Sequence, residues 1–370
     1  MLLALTLLAA GVVLALVAWV VVCQPVWGAP APAAFSPPGM EDALRRHVQV
    51  LAGSFALRDA EHPDVLEAAA DYIRSTLAAL GGQVETVSFA AEDQTYCNVI
   101  ATFGPRTGPR VVVGAHYDAP PGSPGADDNA SGVAGLLELA RLLGREQPAG
   151  RVDLVAFALE ELPYFGTDGM GSAAHVRRLV KEGATVRAML SLEMIGYFDA
   201  RARSQRYPAG IMRAVYPSRG NFVLLVGRWA DWRELYVLKR TMRAAAPLDV
   251  RTVCLPAGVP EIDRSDHASF WKAGFPGAMI TDTAQYRNPG YHSEMDTPDM
   301  LNYAAMAEVV VGVHAWVRAL CGVGVQATPT PRVGNTADLR AKSAAPDAMG
   351  TRSVLNGGAP VARTIADPHV

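Results

Sequence analysis

One histidine and three carboxylates follow two apolar runs in this chain of 370 residues. One run leads into His116 and Asp118, and a later one ends in the adjacent carboxylates Glu160 and Glu161. Either pair alone is weak evidence, because a histidine near a turn or a glutamate paired with an arginine is common. Together they offer imidazole and carboxylate ligands for a metal, with a second carboxylate free to move a proton.

Three more positions extend this set. Asp128 is the second of two aspartates before a helical pattern, and two aspartates followed by an asparagine exceed what one helix N-cap uses. Glu193 lies between apolar neighbours, where an unpaired ionised carboxylate is costly, so a metal or an arginine must neutralise it. His292 lies in a turn-rich loop, and loops on a rigid scaffold often carry function.

Charge counting favours one site for these residues. The carboxylates of Asp128, Glu161 and Glu193, with one hydroxide, would balance the charge of two divalent ions. Two imidazoles with carboxylates and no thiolate suit zinc. The sequence therefore predicts two Zn²⁺ per chain.

The elements that must position these residues alternate along the chain. Apolar runs predict a hairpin at Val84–Phe103 and strands at Arg110–Tyr117, Val152–Leu159, Val186–Met194, Phe222–Gly227 and Gly277–Thr281. Helical patterns fall at Ser131–Leu143, Gly171–Glu182, Trp232–Ala244, His267–Ala273 and Pro298–Cys321. This alternation predicts an α/β fold of three αβα layers, with a mostly parallel, mixed central sheet and helices on both faces. In such sheets ligands bind at the carboxyl ends of the strands.

The five segments, in this order, resemble the co-catalytic di-zinc aminopeptidase family, which includes bacterial leucyl aminopeptidases, yeast aminopeptidase Y and, more distantly, glutamate carboxypeptidases. The resemblance covers Met40–Gly322. It implies that His116 and Glu193 bind one zinc, that Glu161 and His292 bind the other, and that Asp128 bridges both. It also implies that Glu160 is the general base and that Asp118 orients His116. The family has Asp or Glu at position 193, so substrate class is less well defined than metal binding.

The same resemblance implies a reaction and a substrate wall. The reaction would be hydrolysis of N-terminal residues from peptides by metal-activated water. Asp266 could line the substrate site, although N-capping of its helix is an equally ordinary role. Tyr286 is a candidate for a hydrogen bond to the oxyanion, although a packed aromatic is its more ordinary role.

The N-terminal segment is apolar from Leu2 to Cys23, about the 20 residues needed to span a bilayer. It lacks the basic start and short apolar core of a cleaved signal peptide, which favours an anchor. The predicted domains are an anchor or signal segment (1–24), a Pro/Ala linker (25–38), the peptidase domain (39–323) and a disordered tail (324–370). We expect a membrane-anchored protein with an exported catalytic domain, or a secreted or periplasmic one if the segment is cleaved.

Composition narrows the alternatives. The net charge of -3, with basic residues scattered, argues against nucleic acid as a partner. The four cysteines form no CxxC motif, and the sequence is compatible both with a disulfide and with unpaired thiols. The sequence lacks the G-x-S-x-G motif of the serine α/β hydrolases, which argues against that class of enzyme. Two rivals remain, a single-zinc glutaminyl cyclase and a non-catalytic membrane ectodomain; the oligomeric state is not predicted.

Overall fold

Helices and strands alternate along the residues that the computed structural model describes, 2–26 and 37–322. The helices are α1 (Leu2–Cys23), α2 (Met40–Gln49), α3 (Pro63–Ala79), α4 (Gly132–Glu146), α5 (Gly171–Lys181), α6 (Trp232–Ala245), α7 (His267–Lys272) and α8 (Tyr303–Cys321). The strands are β1 (Gln83–Ala91), β2 (Gln94–Phe103), β3 (Arg110–His116), β4 (Arg151–Phe157), β5 (Val186–Glu193), β6 (Val223–Arg228), β7 (Val250–Leu255) and β8 (Ala278–Thr281). Most of the predicted linker and the whole predicted tail lie outside the described residues, so the domain boundaries stay predictions.

The eight strands form one mixed sheet in the order β1-β2-β4-β3-β5-β8-β6-β7. The four central strands, β4, β3, β5 and β8, run parallel to one another. Strand β6 pairs in parallel with β7. The antiparallel pairings are β1 with β2, β2 with β4, and β6 with β8. The predicted hairpin and the mostly parallel mixed sheet are therefore confirmed.

Helices cover both faces of the sheet. Successive side chains of a strand point to opposite faces. In β3, Val111 and Val113 belong to a large core cluster that includes residues of α2, α3, α4 and α8. Val112 belongs to a second cluster, with Val176 of α5 and Phe270 of α7. This division confirms the three-layer architecture.

Strand β7 was not predicted from the sequence. Its residues, VRTVCL, include Arg251 and Thr252, which interrupt the apolar run by which the other strands were recognised. The strand lies at the edge of the sheet and pairs only with β6, so a polar, partly exposed side chain is tolerated there. The β-branched residues Val250, Thr252 and Val253 were the signal that could have found it.

Two helices bear on the predicted membrane anchor. Helix α1 spans the predicted segment, and its residues Ala10–Cys23 form an apolar stretch. Among the described residues, α8 has the length and hydropathy of a membrane span, but half of it is buried within the protein. The core helix of a globular domain has the same properties, so α8 is no evidence for a membrane.

Candidate metal centre

The sequence-predicted ligands meet at the carboxyl edge of the central strands. His116 is the last residue of β3, Glu193 is the last residue of β5, and Glu160 and Glu161 follow the end of β4. Because β4, β3 and β5 are parallel neighbours, their carboxyl ends lie side by side. Asp128 comes from the short helical turn Ala126–Ser131 that precedes α4. The loop between β8 and α8 brings His292 to the same edge.

The distances between these side chains match ligands that share metal ions. His116 Nε2 is 3.4 Å from both Asp128 Oδ1 and Glu193 Oε2. His292 Nε2 is 3.2 Å from Asp128 Oδ2 and 3.5 Å from Glu161 Oε2. Charge-assisted hydrogen bonds are shorter, about 2.7–2.9 Å. Two ligands at about 2.1 Å from a tetrahedral zinc are roughly 3.4 Å apart, which fits the observed spacing.

Unsatisfied polar atoms support the same fit. Both ring nitrogens of His116 and Oδ1 of Asp128 are buried and have no hydrogen-bond partner. Buried polar atoms are nearly always paired, so such a cluster needs an explanation. Ligand atoms of His116, Asp128 and Glu161 all lie within 4.8 Å of one another. These residues therefore fit a zinc ion by chemistry, spacing and unused bonding capacity.

The carboxylates of the site are buried close together, an arrangement that bound cations would stabilise. Burial and nearby carboxylates raise the pKa values of Glu160 and Glu161 well above the ordinary range, and burial is also the main cause of the raised pKa of Glu193. For His116, burial opposes protonation, but Glu193 and Glu160 still raise the pKa well above its usual value. Like charges disfavour each other's ionised form, and bound metal ions would relieve that repulsion.

Asp128 is held by a network of neighbours. The carboxylate of Asp296 accepts hydrogen bonds from the backbone N–H groups of Asp127 and Asp128 at 3.0–3.1 Å. Asn129 Oδ1 accepts from the N–H of Met194 at 3.1 Å, directly after β5. The residues Asn129-Ala130-Ser131 match a glycosylation sequon, but Asn129 is fully buried, which argues against modification there. Asp296 and Asn129 thus brace the turn, and the carboxylate of Asp128 faces the two histidines.

Asp118 connects two of the predicted ligand positions. Its Oδ2 accepts a hydrogen bond of 3.0 Å from the N–H of Glu161, and its Oδ1 is 3.4 Å from His116 Nδ1. Asp118 is buried, and its Oδ1 has no hydrogen-bond partner. Asp118 therefore lies beside the imidazole of His116, and its role in orienting that ring stays a prediction.

Arg58 is a buried cation that sequence reasoning missed. It is fully buried, and its guanidinium donates to the carbonyls of Tyr117, Pro124 and Gly125, in the loops that carry Asp118 and Asp128. Burial lowers its pKa to about 10, while Asp118 is the strongest of the carboxylates that oppose this shift. Gly125 has φ +59°, and a Cβ there would lie 2.3 Å from Asp128 O and 2.8 Å from Arg58 Nη2. Nothing local in the sequence marks Arg58, because all three carbonyls are distant along the chain.

The predicted substrate residues differ in their placement. Asp266 precedes α7 and is fully buried, but its side chain makes no capping hydrogen bond and neither carboxylate oxygen has a partner. Burial raises its pKa to about 7, and His116 and Glu193 are among the groups that act on it. The hydroxyl of Tyr286 donates to Glu261 Oε2 at 3.1 Å, on the wall of a cavity beside the site.

That cavity opens beside the metal centre. Glu193 is one of its lining residues, and the ring of Tyr291, stacked on His292 with centroids 3.8 Å apart, forms part of its wall. The lining is largely apolar: Met212, Leu224, Val226, Val253, Leu255 and Met279. The sequence did not reveal this cavity, since its wall includes residues from the unpredicted strand β7.

Imidazoles and carboxylates at the carboxyl ends of the central strands of a three-layer α/β fold are the arrangement of zinc-dependent exopeptidases. The chain belongs to Peptidase family M28, which it matches over residues 98–317. This membership confirms the zinc exopeptidase family predicted from the sequence, and with it the prediction of a metallo-aminopeptidase class of hydrolase.

Relatives and solved structures agree with that family. The chain is 42% identical to the uncharacterized protein YfbL of Escherichia coli (strain K12), over 74% of this chain and 86% of that protein. It is 30% identical to leucine aminopeptidase 1 of Arthroderma otae over 58% of this chain, and spans just over half (56%) of that relative's length.

Two solved structures share the fold. A zinc aminopeptidase from Bacillus subtilis aligns with a TM-score of 0.61 at 16% identity, covering 80% of this chain and 97% of that one. A glutaminyl cyclase from Bacteroides thetaiotaomicron aligns with a TM-score of 0.58 at 18% identity, covering 76% and 99%. The fold therefore accommodates both the predicted activity and its first rival.

Proposed function

We propose that the protein is a di-zinc aminopeptidase that removes N-terminal residues from peptides. One observation carries the proposal: the two carboxylate oxygens of Asp128 face different imidazoles, His116 at 3.4 Å and His292 at 3.2 Å. A carboxylate so placed suits a bridge between two ions. His116 and Glu193 would hold one zinc, and Glu161 and His292 the other.

Glu160 is the proposed general base. Its Oε2 is 4.0 Å from His116 Nε2, farther than the 3.4 Å of Asp128 and Glu193, so it borders the ligand set without joining it. Zinc, when bound, polarises the peptide carbonyl and makes water more acidic. The Glu160 carboxylate would accept a proton from the attacking water and pass it to the leaving amine nitrogen.

The apolar cavity is the proposed site for the first side chain of the substrate. The proposed ligand Glu193 lines it, so a peptide whose carbonyl lies at the metals would direct its N-terminal side chain into this cavity. The surrounding carboxylates would favour a free N-terminal ammonium by simple attraction. Such a site selects for the end of a chain.

Helix α1 is the proposed membrane anchor. Its 22 residues, nearly all of them apolar, have the length of a bilayer span, and they include no charged residue. An anchor of this kind, with the catalytic domain exported, is the localisation we propose. Cleavage of α1 would give a secreted or periplasmic enzyme instead.

Activity assays test the proposal against its rival. Purified full chain should release p-nitroaniline from leucine p-nitroanilide, and a zinc chelator should abolish the release until zinc is restored. A cyclase would instead convert a peptide with N-terminal Gln to its pyroglutamyl form and leave leucine p-nitroanilide intact. That result would replace the proposed activity with the cyclase.

A further inference from the structure

Exposed basic and aromatic residues lie in the segments that contact the end of α1 or directly flank those contacts. We call this surface the basic-aromatic face, and we define it by the exposed residues Ile211, Arg213, Trp229, Trp232, Arg233 and Arg240. Ile211 is 75% exposed, and the two tryptophans are exposed by about half, 49% for Trp229 and 48% for Trp232. Large apolar side chains at such exposure, grouped with arginines, are typical of an interaction surface.

The charge of this region departs from that of the whole chain. Residues 201–243 contain nine arginines and one lysine against only two acidic residues, Asp231 and Glu234. The complete chain has 33 basic and 36 acidic residues. An excess of eight positive charges within 43 residues therefore lies in a protein of net negative charge. Arg201 pairs with Asp199 and Arg228 with Asp231, and the remaining excess of positive charge attracts an anionic partner.

Direct contacts join the face to the end of α1. Lys239 Nζ donates to the carbonyl of Cys23 at 2.7 Å, and Gln24 Nε2 donates to the carbonyl of Trp232 at 2.8 Å. Cys23 Sγ lies 3.6 Å from the hydroxyl of Tyr216. Trp232 therefore belongs both to the exposed face and to the junction with the apolar helix.

The face also continues along neighbouring elements. Arg233 and Arg240 lie seven residues apart on α6, two turns along one side of the helix. The Arg233 guanidinium lies over the Trp232 ring, 5.3 Å from its centroid. Val215, two residues beyond Arg213, lines the same crevice as Trp19 and Cys23 of α1. The face is thus continuous with the end of a helix of bilayer-spanning length.

We propose that the basic-aromatic face rests on the headgroup layer of an anionic phospholipid bilayer. Tryptophan favours the membrane interface, and arginine is attracted to anionic lipid. The proposal rests on α1 as the membrane anchor, since the contacts of Cys23 and Gln24 hold the face at the point where the helix leaves the bilayer. The catalytic domain is then held in one orientation. Met212, between Ile211 and Arg213, lines the substrate cavity, so one wall of that cavity adjoins the lipid surface.

Lipid quenching of tryptophan tests this contact. Full chain carrying Trp19→Phe and Trp27→Phe is placed in nanodiscs of phosphatidylcholine and phosphatidylglycerol, with and without bromine near the headgroup end of the acyl chains. The emission from Trp229 and Trp232 should be lost in the brominated discs. The less exposed Trp271 and Trp316 serve as internal references, and Trp229→Phe with Trp232→Phe should remove the quenchable emission.

Charge reversal separates lipid attraction from simple proximity. Arg213→Glu, Arg233→Glu and Arg240→Glu together should reduce quenching and its dependence on phosphatidylglycerol. Matched reversals at Arg74, Arg177 and Lys181, on α3 and α5, should leave quenching unchanged.

The outcomes distinguish this inference from the proposed activity. Co-elution with nanodiscs without quenching would overturn docking while leaving α1 as an anchor. Failure to co-elute would overturn both docking and anchoring. Hydrolysis of leucine p-nitroanilide in detergent reports on the peptidase independently of either result.

Discussion

At the scale of single residues, Glu160 and Glu161 are neighbours with separate proposed roles. Glu160→Gln should keep zinc bound, because Glu160 is outside the proposed ligand set, and should lower kcat by about 10²–10⁴-fold, as expected for loss of a general base. Zinc content and steady-state kinetics measure the two effects. The matched control is Glu67→Gln, an exposed position on α3. Unchanged kcat in Glu160→Gln would remove this residue from the proton transfer.

Arg58 is the second residue whose replacement is informative. Arg58→Met should lower the free energy of unfolding by about 3 kcal/mol or more, because several buried carbonyls lose their donor. Urea unfolding measures the loss. Arg58→Lys should retain the charge but not the forked geometry of the guanidinium. Its free energy of unfolding should therefore lie between those of the unsubstituted protein and Arg58→Met. If Arg58→Met were as stable as the unsubstituted protein, Arg58 would not brace these loops.

At the scale of elements, the loop before α8 supports the turn before α4. Asp296 contacts the backbone of Asp127 and Asp128 but is not itself a proposed ligand. Asp296→Ala should therefore weaken zinc binding by about 10–100-fold through misplacement of Asp128. Competition with a chromogenic chelator measures this change. Asp299→Ala, at an exposed position of the same loop region, is the control, and equal affinities in both variants would refute the coupling.

The sequence predicted a site residue correctly where a single strand determines its position. The apolar runs predicted β3, β4 and β5, and the strand ends then grouped His116, Glu160 and Glu193 at one edge. It could not find Asp296 or Arg58, since their partners are distant along the chain and their side chains act through backbone contacts. It missed β7 because an edge strand tolerates Arg251 within its pattern. The cavity wall depends on that strand and was missed with it.

At the scale of the whole molecule, metal and fold should be coupled. Without cations, the carboxylates of the site repel one another within a buried space, whereas zinc binds the folded state and stabilises it by mass action. Chelation should therefore lower the Tm by several degrees, roughly what a loss of 1–2 kcal/mol causes in a domain of this size. Differential scanning fluorimetry with and without added zinc measures the shift. An unchanged Tm after verified metal removal would contradict this coupling.

Zinc stoichiometry shows whether Asp128 joins two metal ions. Elemental analysis of the purified full chain should give two zinc per chain, with one lost in His292→Ala and both weakened in Asp128→Ala. One zinc per chain in the unsubstituted protein, with no change in His292→Ala, would contradict the di-zinc site and favour the single-zinc cyclase.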